Sequence, residues 1–336
     1  MSTQLGDAGP AVQLAVESTI DLVIRERLIE DPRAVLFGLH PPEQWIEEFG
    51  PARVRVFPIC EPAMIGVAIG AATAGLHPIV DLVRSAFAFA AMDQIVNQAA
   101  KLRYLTGGQF RLPLTIRAMT RTEFHLTGQH DQSPYAMFMT PGLKVVAPGT
   151  LEDAVRLLRS AFDEPNPTIF LQSLQMARGV PPEDETADRV PLGRARVVRP
   201  GRDVTVVAVG GTMEPALEAA RELAHAGIEC ELIDPRTLVP LDPHTVRASV
   251  RRTRRLAVID ESPAGATVAA EVVAAAVEDP DTFAALRRPP VRICSPNAPL
   301  PFNPKLELAL LPTADRLVCA VHQLMADRAP ITADSD

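Results

Sequence analysis

Two ionisable residues, Glu61 and His130, are the first candidates for chemistry in this chain. Glu61 follows a predicted strand, "RVRVFPI", and precedes a run of small apolar residues, "MIGVAIGAATAGL". A carboxylate at the carboxyl end of a strand in an open parallel sheet lies where such folds bind ligands. An acid in apolar surroundings is suited to sharing a proton with a ring nitrogen of a bound cofactor. The alternative is a structural role, in which the dipole of the following helix stabilises the carboxylate.

His130 lies in a polar segment, "LTGQHDQSPYAMF", which follows another predicted strand. Its neighbours Gln129, Asp131 and Gln132 argue against a position in an apolar core. A histidine here could act as an acid or base, or donate a hydrogen bond to a substrate carboxylate. An exposed loop histidine without a function is the alternative on composition alone.

Several common catalytic motifs are missing from the chain. It contains no HExxH, no GxSxG and no GxxxxGK[ST]. The sequence therefore lacks the motifs of a zinc protease, an α/β-hydrolase and a P-loop NTPase. The segment "VGGTME" follows a predicted strand but provides only part of the GxGxxG loop of a dinucleotide-binding protein.

Composition narrows the class of protein further. The chain has 336 residues, 47% of them hydrophobic and 4% aromatic, with a net charge of −8 and no dense basic cluster. This favours two domains with aliphatic cores and argues against nucleic acid as a partner. We see no secretion signal at the N-terminus and no apolar run approaching the roughly 20 residues of a membrane span. The scattered cysteines suit reduced thiols, so the prediction is a cytoplasmic protein.

Strands and helices alternate along the chain, which predicts parallel sheets with helices on both faces. The alternation is interrupted at residues 181–201, "PPEDETADRVPLGRARVVRPG", where the sequence is rich in proline and charge. We therefore expect an α/β protein of two doubly wound domains, at residues 11–180 and 202–330, with 181–201 as the linker.

Taken together, several segments resemble one family. "PICEPAMIGVAIGAATAGLHPIVD", "MDQIVNQAAKLRYLTGG", "GQHDQS", "PGLKVVAP" and "IDPRTLVPLD" are similar, in order and spacing, to the beta subunit of the thiamine-diphosphate-dependent decarboxylating component of 2-oxoacid dehydrogenase complexes. Transketolase is a more distant relative. The resemblance implies a pyrimidine-binding domain followed by a transketolase C-terminal domain. It also implies decarboxylation of a 2-oxoacid and acyl transfer to a lipoyl group.

The resemblance assigns roles to individual residues. Glu61 falls on the glutamate that hydrogen-bonds N1′ of the cofactor's aminopyrimidine and activates the cofactor. Phe87, in "RSAFAFAAMD", falls on the aromatic residue that stacks on the pyrimidine, and Ile59 and Cys60 would line the same ring. His130 falls on the active-site histidine, which contacts substrate or assists acyl transfer. The family's structural potassium would lie near five residues: Leu114, Ala161, Phe162, Glu164 and Asn166.

A missing motif points to a partner. Thiamine enzymes hold the magnesium of the cofactor diphosphate with a GDG…N motif, and this chain has no GDG. The resemblance therefore implies an alpha subunit that carries the diphosphate and magnesium site, in an α2β2 heterotetramer, and a beta chain that is inactive without it. A lipoyl acyltransferase or carrier protein would be a further partner.

The chain also departs from the family pattern. The usual Gly-Glu-Asp is replaced by Gly38-Leu39-His40, which removes the acid at Leu39 that is associated with communication between active sites. "RAMTRTEFHLTG", residues 117–128, replaces a glycine-rich loop, and Asp131 replaces a serine. We expect Arg84, His125 and Asp131 to lie in the substrate pocket. These departures keep two alternatives open: a split transketolase or acyloin-forming subunit of secondary metabolism, and a non-catalytic scaffold subunit.

Overall fold

In a computed structural model of the protein, residues 10–120 and 126–326 are described, with side chains from Val16 onward. The described residues form twelve strands. The strands are β1 (Ala34–Gly38), β2 (Val54–Val56), β3 (His77–Arg84), β4 (Thr115–Met119), β5 (Lys144–Val146), β6 (Thr168–Gln172), β7 (Arg196–Arg199), β8 (Val204–Ala208), β9 (Cys230–Asp234), β10 (Thr237–Val239), β11 (Leu256–Pro263) and β12 (Val291–Ser295).

The α-helices alternate with these strands. They are α1 (Pro10–Glu30), α2 (Glu43–Phe49), α3 (Glu61–Thr73), α4 (Ala100–Leu105), α5 (Gly128–Asp131), α6 (Leu151–Asp163), α7 (Met213–His225), α8 (Pro243–Thr253), α9 (Val268–Val277), α10 (Pro280–Ala285), α11 (Pro304–Leu310) and α12 (Ala314–Met325). Three 3₁₀ helices (Ser85–Ala91, Tyr135–Phe138 and Gly210–Thr212) and a π-helix (Asp93–Ala99) complete the described elements.

The first sheet has seven strands in the order β10-β5-β6-β4-β3-β1-β2. All its pairs are parallel except β10 with β5. Side chains alternate across it, as expected for a sheet covered on both faces. In β1, Leu36 belongs to the apolar cluster that contains α1 and α6, whereas Phe37 belongs to the cluster that contains α3. This confirms the predicted α/β class.

The second sheet has five strands in the order β12-β11-β8-β9-β7. Strand β7 is antiparallel to β9 and lies at the C-terminal end of the segment 181–201 that we predict as a linker. The sequence did not reveal this strand because "RVVR" is only four residues long and follows a proline-rich stretch. Its identity as a strand depends on pairing with β9, which is distant in sequence.

Buried charged side chains connect the two halves of the chain close to β10, the strand from the second half that pairs with the first sheet. Asp153 of α6 is fully buried and accepts hydrogen bonds from Arg236 at 2.7 Å and Arg196 at 3.0 Å. Asp234 accepts from the Gly149 amide at 2.8 Å. Burial, reinforced by the nearby Asp153, raises the pKa of Asp234 to about 7.

Across residues 10–120 and 126–326, no helix combines the length and apolarity needed to cross a membrane.

Candidate active site at one edge of the first sheet

The three main candidate residues follow three strands of the first sheet. Glu61 follows β2, Phe87 follows β3 and His130 follows β4. Because these strands are parallel through β1, their carboxyl ends meet at the same edge. The 3₁₀ helix that carries Phe87 packs against both α3 and α5. The elements that bear the three candidates are therefore contiguous.

Glu61 is the first residue of α3 and is only 8% exposed. Cys60 occupies the N-cap position without a side-chain cap, and Pro62 stands in the first turn, where its missing N–H costs no hydrogen bond. The carboxylate is thus almost wholly removed from water at the open end of a helix. Ile59, just before it, is 83% exposed and Cys60 is half-buried, so both lie at the rim of this region.

Phe87 and His130 are in direct contact. Their ring centroids lie 5.3 Å apart and the ring planes meet at 80°, an edge-to-face arrangement. Both side chains are half-buried. The Nδ1 atom of His130 is buried and has no hydrogen-bond partner among the described residues. A buried unpaired nitrogen is unusual in a folded protein and is a place where a ligand group can bind.

A strained turn at Val83 sets the direction of the segment that carries Phe87. Val83, a β-branched residue, has φ +63°, a left-handed conformation that such side chains avoid. The Asp81 carboxylate holds the turn by accepting from the Val83 amide at 2.9 Å. Asp81 is held in turn by buried Arg117, which donates to it at 3.0 Å and to Asp21 at 2.8 Å. This chain of contacts directs residues 85–91 across the sheet edge.

Comparison with known proteins adds independent evidence. Residues 33–179 match the family of transketolase pyrimidine-binding domains, and residues 193–317 match that of transketolase C-terminal domains. The acetoin:2,6-dichlorophenolindophenol oxidoreductase subunit beta of Bacillus subtilis (strain 168) is 41% identical over 288 residues, which cover 84% of this chain and 83% of that protein. The pyruvate dehydrogenase E1 component subunit beta of Rickettsia felis is 35% identical over 323 residues, covering 93% and 98%.

The chain belongs to the family of pyruvate and acetoin dehydrogenase beta subunits. This confirms the family that the sequence motifs indicate. The fold is also that of a solved structure titled "Split gene transketolase, inactive beta4 tetramer", with a TM-score of 0.74 at 23% identity, covering 93% of this chain and 99% of that chain.

Two of the three residues that we assign to the substrate pocket of this beta subunit lie near each other. Arg84 is half-buried, and burial lowers the pKa of its guanidinium, although the nearby carboxylates of Asp131 and Glu17 oppose that shift. Asp131 is fully buried beside His130 and accepts a hydrogen bond from the Leu126 amide at 2.7 Å. The third, His125, lies outside the described residues.

The residues assigned to a potassium site also lie near one another. The Thr115 hydroxyl donates to the Ala161 carbonyl at 3.4 Å, which links the strand that follows Leu114 to α6. Arg103 donates to Asn166 Oδ1 at 2.7 Å, and Arg27 donates to the Phe162 carbonyl at 3.4 Å. Two guanidinium groups therefore already bind oxygen atoms of this set.

Sequence reasoning missed Asp81 and Arg117. Both stand inside strands that otherwise read as apolar, "HPIVDLV" and "LPLTIRA", and such interruptions are a usable signal because buried charge must be paired. The sequence also gave no role to Glu261, a buried acid of the second sheet that contacts the segment after His130.

Proposed function

We propose that this protein is the beta subunit of a thiamine-diphosphate-dependent 2-oxoacid dehydrogenase. It would activate the cofactor for decarboxylation and pass the acyl group to a lipoyl group. The observation that carries the proposal is the constellation at one sheet edge, with buried Glu61 next to the element of Phe87 and with Phe87 against His130. The named activities of the relatives support it.

The residues present fit one half of the cofactor. An aminopyrimidine ring needs an acid for its ring nitrogen and an apolar or aromatic surface for its face, which Glu61 and Phe87 supply. When bound, thiamine diphosphate supplies a carbon nucleophile that also accepts the electron pair left behind when carbon dioxide departs. The largely buried Glu61 would hold or move a proton at the pyrimidine nitrogen.

His130 would act on the substrate. Its orientation is fixed on one side by the Phe87 ring, and its unpaired Nδ1 provides a donor or acceptor for a substrate carboxylate or for the departing acyl group. Ile59 and Cys60 would line the pyrimidine, and Arg84, His125 and Asp131 would face the substrate. The neighbouring charges of Arg84 and Asp131 would then select the shape and charge of the 2-oxoacid side chain.

The other half of the cofactor site would come from an alpha subunit, and the beta chain alone would be inactive. Within residues 10–120 and 126–326, no group of three or more acidic, histidine or cysteine side chains could hold a metal ion. Magnesium and the diphosphate would be held by the partner, as the resemblance implies. The outer face of α3 suits its docking, because Val67 is 49% exposed and the helix has open space at Gly66 and Gly70.

The assembly would be an α2β2 heterotetramer that passes its acyl group to a lipoyl acyltransferase or carrier protein. The oxygen atoms at Leu114, Ala161, Phe162, Glu164 and Asn166 would hold potassium. Free thiols at all four cysteines fit the proposed cytoplasmic location.

One observation favours a second candidate, in which an aldehyde or sugar accepts the fragment. Asp131 places a buried acid directly beside His130, where acyl transfer to a lipoyl thiol gains nothing from negative charge. A split transketolase or acyloin-forming subunit would fit this feature. A non-catalytic scaffold subunit, the third alternative, would not explain why Glu61, Phe87 and His130 occur together.

The proposal is tested by reconstitution. The chain, its alpha subunit, thiamine diphosphate and magnesium are incubated with a panel of 2-oxoacids, and reduction of 2,6-dichlorophenolindophenol is followed. We expect dye reduction with at least one 2-oxoacid and none when either subunit is omitted. Acylation of a lipoyl domain then separates the two acceptors: transfer only to an aldehyde would overturn the dehydrogenase assignment in favour of the second candidate.

A further inference from the structure

We infer that Glu261, in the second sheet, positions His130 for acyl transfer. This inference rests on the proposed function of His130. Glu261 lies at the C-terminal part of β11 and is 4% exposed. It would act through the segment of residues 131–135 and would not touch the substrate.

The Glu261 carboxylate anchors that segment through two hydroxyl groups. Tyr135 donates to Oε1 at 2.6 Å and Ser133 donates to the same oxygen at 2.8 Å. Burial and the neighbouring Glu261 raise the pKa of Tyr135 well above its ordinary value, so the phenol keeps its proton and remains a donor. Two hydroxyl donors within 2.8 Å of one buried carboxylate oxygen make this a firm attachment.

Further bonds hold the segment on both sides of His130. Ser262 donates to the Ser133 carbonyl at 2.9 Å, and the Gly128 amide donates to the Leu300 carbonyl at 3.1 Å. From the first sheet, Ser85 donates to the Gln132 carbonyl at 3.1 Å. Ser85 begins the 3₁₀ helix that carries Phe87, so His130 lies between attachments to both sheets.

The glycine pair of "VGGTME" makes room for this anchor. A Cβ atom at Gly210, whose φ is +55°, would lie 2.5 Å from the Tyr135 hydroxyl. A Cβ at Gly211 would lie 3.1 Å from Glu261 Oε2 and 2.3 Å from the Ser173 hydroxyl. These glycines, which first suggest an incomplete dinucleotide loop, thus permit the close approach of the two halves of the chain at the His130 segment.

The experiment compares Glu261→Ala, Glu261→Gln and a control, Ser295→Ala, each reconstituted with the alpha subunit. Ser295 donates to the Glu261 backbone carbonyl and makes no hydrogen bond to residues 131–135. Its variant therefore perturbs the surroundings of Glu261 but keeps the hydrogen bonds from Ser133 and Tyr135 to the Glu261 carboxylate. We expect Glu261→Ala to lower kcat for lipoyl acylation about 10-fold with little change in KM, since a small misplacement of a catalytic group costs rate. Glu261→Gln, which keeps an acceptor oxygen, should recover part of the loss.

A double-mutant cycle distinguishes positioning from general structural damage. If Glu261 acts through His130, Glu261→Ala causes no further loss of kcat in a His130→Gln background. Independent losses that multiply would overturn the inference. If His130→Gln alone leaves acylation unchanged, the proposed function of His130 fails and the inference fails with it. If His130→Gln is severe and Glu261→Ala is silent, the inference alone fails.

A readout that needs no cofactor completes the test. In the isolated chain labelled at its seven histidines, the imidazole signal of His130 is identified by its loss in His130→Gln. Glu261→Ala should shift that signal, and Ser295→Ala should leave it in place. Where Glu261→Ala fails to fold, Tyr135→Phe removes one donor from the same anchor and is expected to shift the same signal. An unshifted signal in the variant that folds would overturn the inference.

Discussion

The rings of Phe87 and His130 lie edge-to-face, with their planes at 80° and their centroids 5.3 Å apart. The contact joins residues that follow two different strands, β3 and β4. Because the same aromatic ring is proposed to stack on the pyrimidine, it would fix both the cofactor ring and the histidine that acts on the substrate. A change in Phe87 should therefore affect both cofactor affinity and acyl transfer.

Replacing Phe87 with Ala is expected to weaken binding of thiamine diphosphate to the reconstituted enzyme by roughly 5-fold or more, since aromatic contacts contribute about 1 kcal/mol beyond burial. Isothermal titration measures the dissociation constant. Phe110→Ala provides the control, because Phe110 is 41% exposed and lies after α4, outside the candidate constellation. Equal affinities for the Phe87 variant and the wild-type enzyme would contradict the stacking role.

The strained turn at Val83 gives a second prediction. Val83→Gly should be more stable than Val83→Ala by about 1 kcal/mol, because both variants lose the packing of Val83 against the cluster of α1 and α6 but only glycine adopts positive φ without strain. Replacing Asp81 with Ala should lower the free energy of unfolding by about 2 kcal/mol, because the Val83 amide and the buried Arg117 lose an acceptor. Urea denaturation measures both. If Val83→Gly is less stable than Val83→Ala, strain at this turn is not a feature of the fold.

Much of this fold could be predicted from sequence because the signals are local, and the candidate residues Glu61, Phe87 and His130 stay predictions that the structure places at one sheet edge. Glu61 stands out as an acid between a strand and an apolar helix, and the strands flanking it follow from apolar patterning. Strands β7 and β10 and the anchor at Glu261 could not be predicted, because each depends on a partner distant in the chain. The position of Glu61 alone does not decide between stabilising α3 and binding a cofactor, and the match of Glu61, Phe87 and His130 to the family in one ordered set favours the cofactor.

The buried Asp234 predicts a dependence of stability on pH. Its folded pKa of about 7 lies above the ordinary value of 3.8, so the folded state binds the proton more tightly than the unfolded state. The stability that protonation provides is complete below about pH 4 and declines as the pH rises to about 7. The Asp234→Asn variant removes this titration. Thermal midpoints of both proteins should therefore diverge between pH 4 and 7, and parallel curves would contradict the assignment.

The proposed potassium site predicts a specific effect of salt. Potassium chloride should raise the thermal midpoint of the protein above its value in choline chloride at equal ionic strength, because an ion that binds only the folded state stabilises it. Asn166→Ala should lower both midpoints by removing the bond with Arg103 but leave their difference, because the potassium would be held largely by carbonyl oxygens. Identical midpoints of the wild-type protein in the two salts would argue against the site.

The central claim is that Glu61 activates a cofactor and does not merely stabilise the start of α3. Its most direct test is the rate of 2-oxoacid-dependent dye reduction by the reconstituted Glu61→Ala enzyme under saturating thiamine diphosphate. Glu214, in the first turn of α7, is the control, because its substitution removes a helix-dipole interaction and an exposed ion pair with Arg221 but touches no candidate site residue. We predict a loss of at least about 100-fold for Glu61→Ala and near wild-type activity for Glu214→Ala. An unchanged rate for Glu61→Ala would contradict the proposed role.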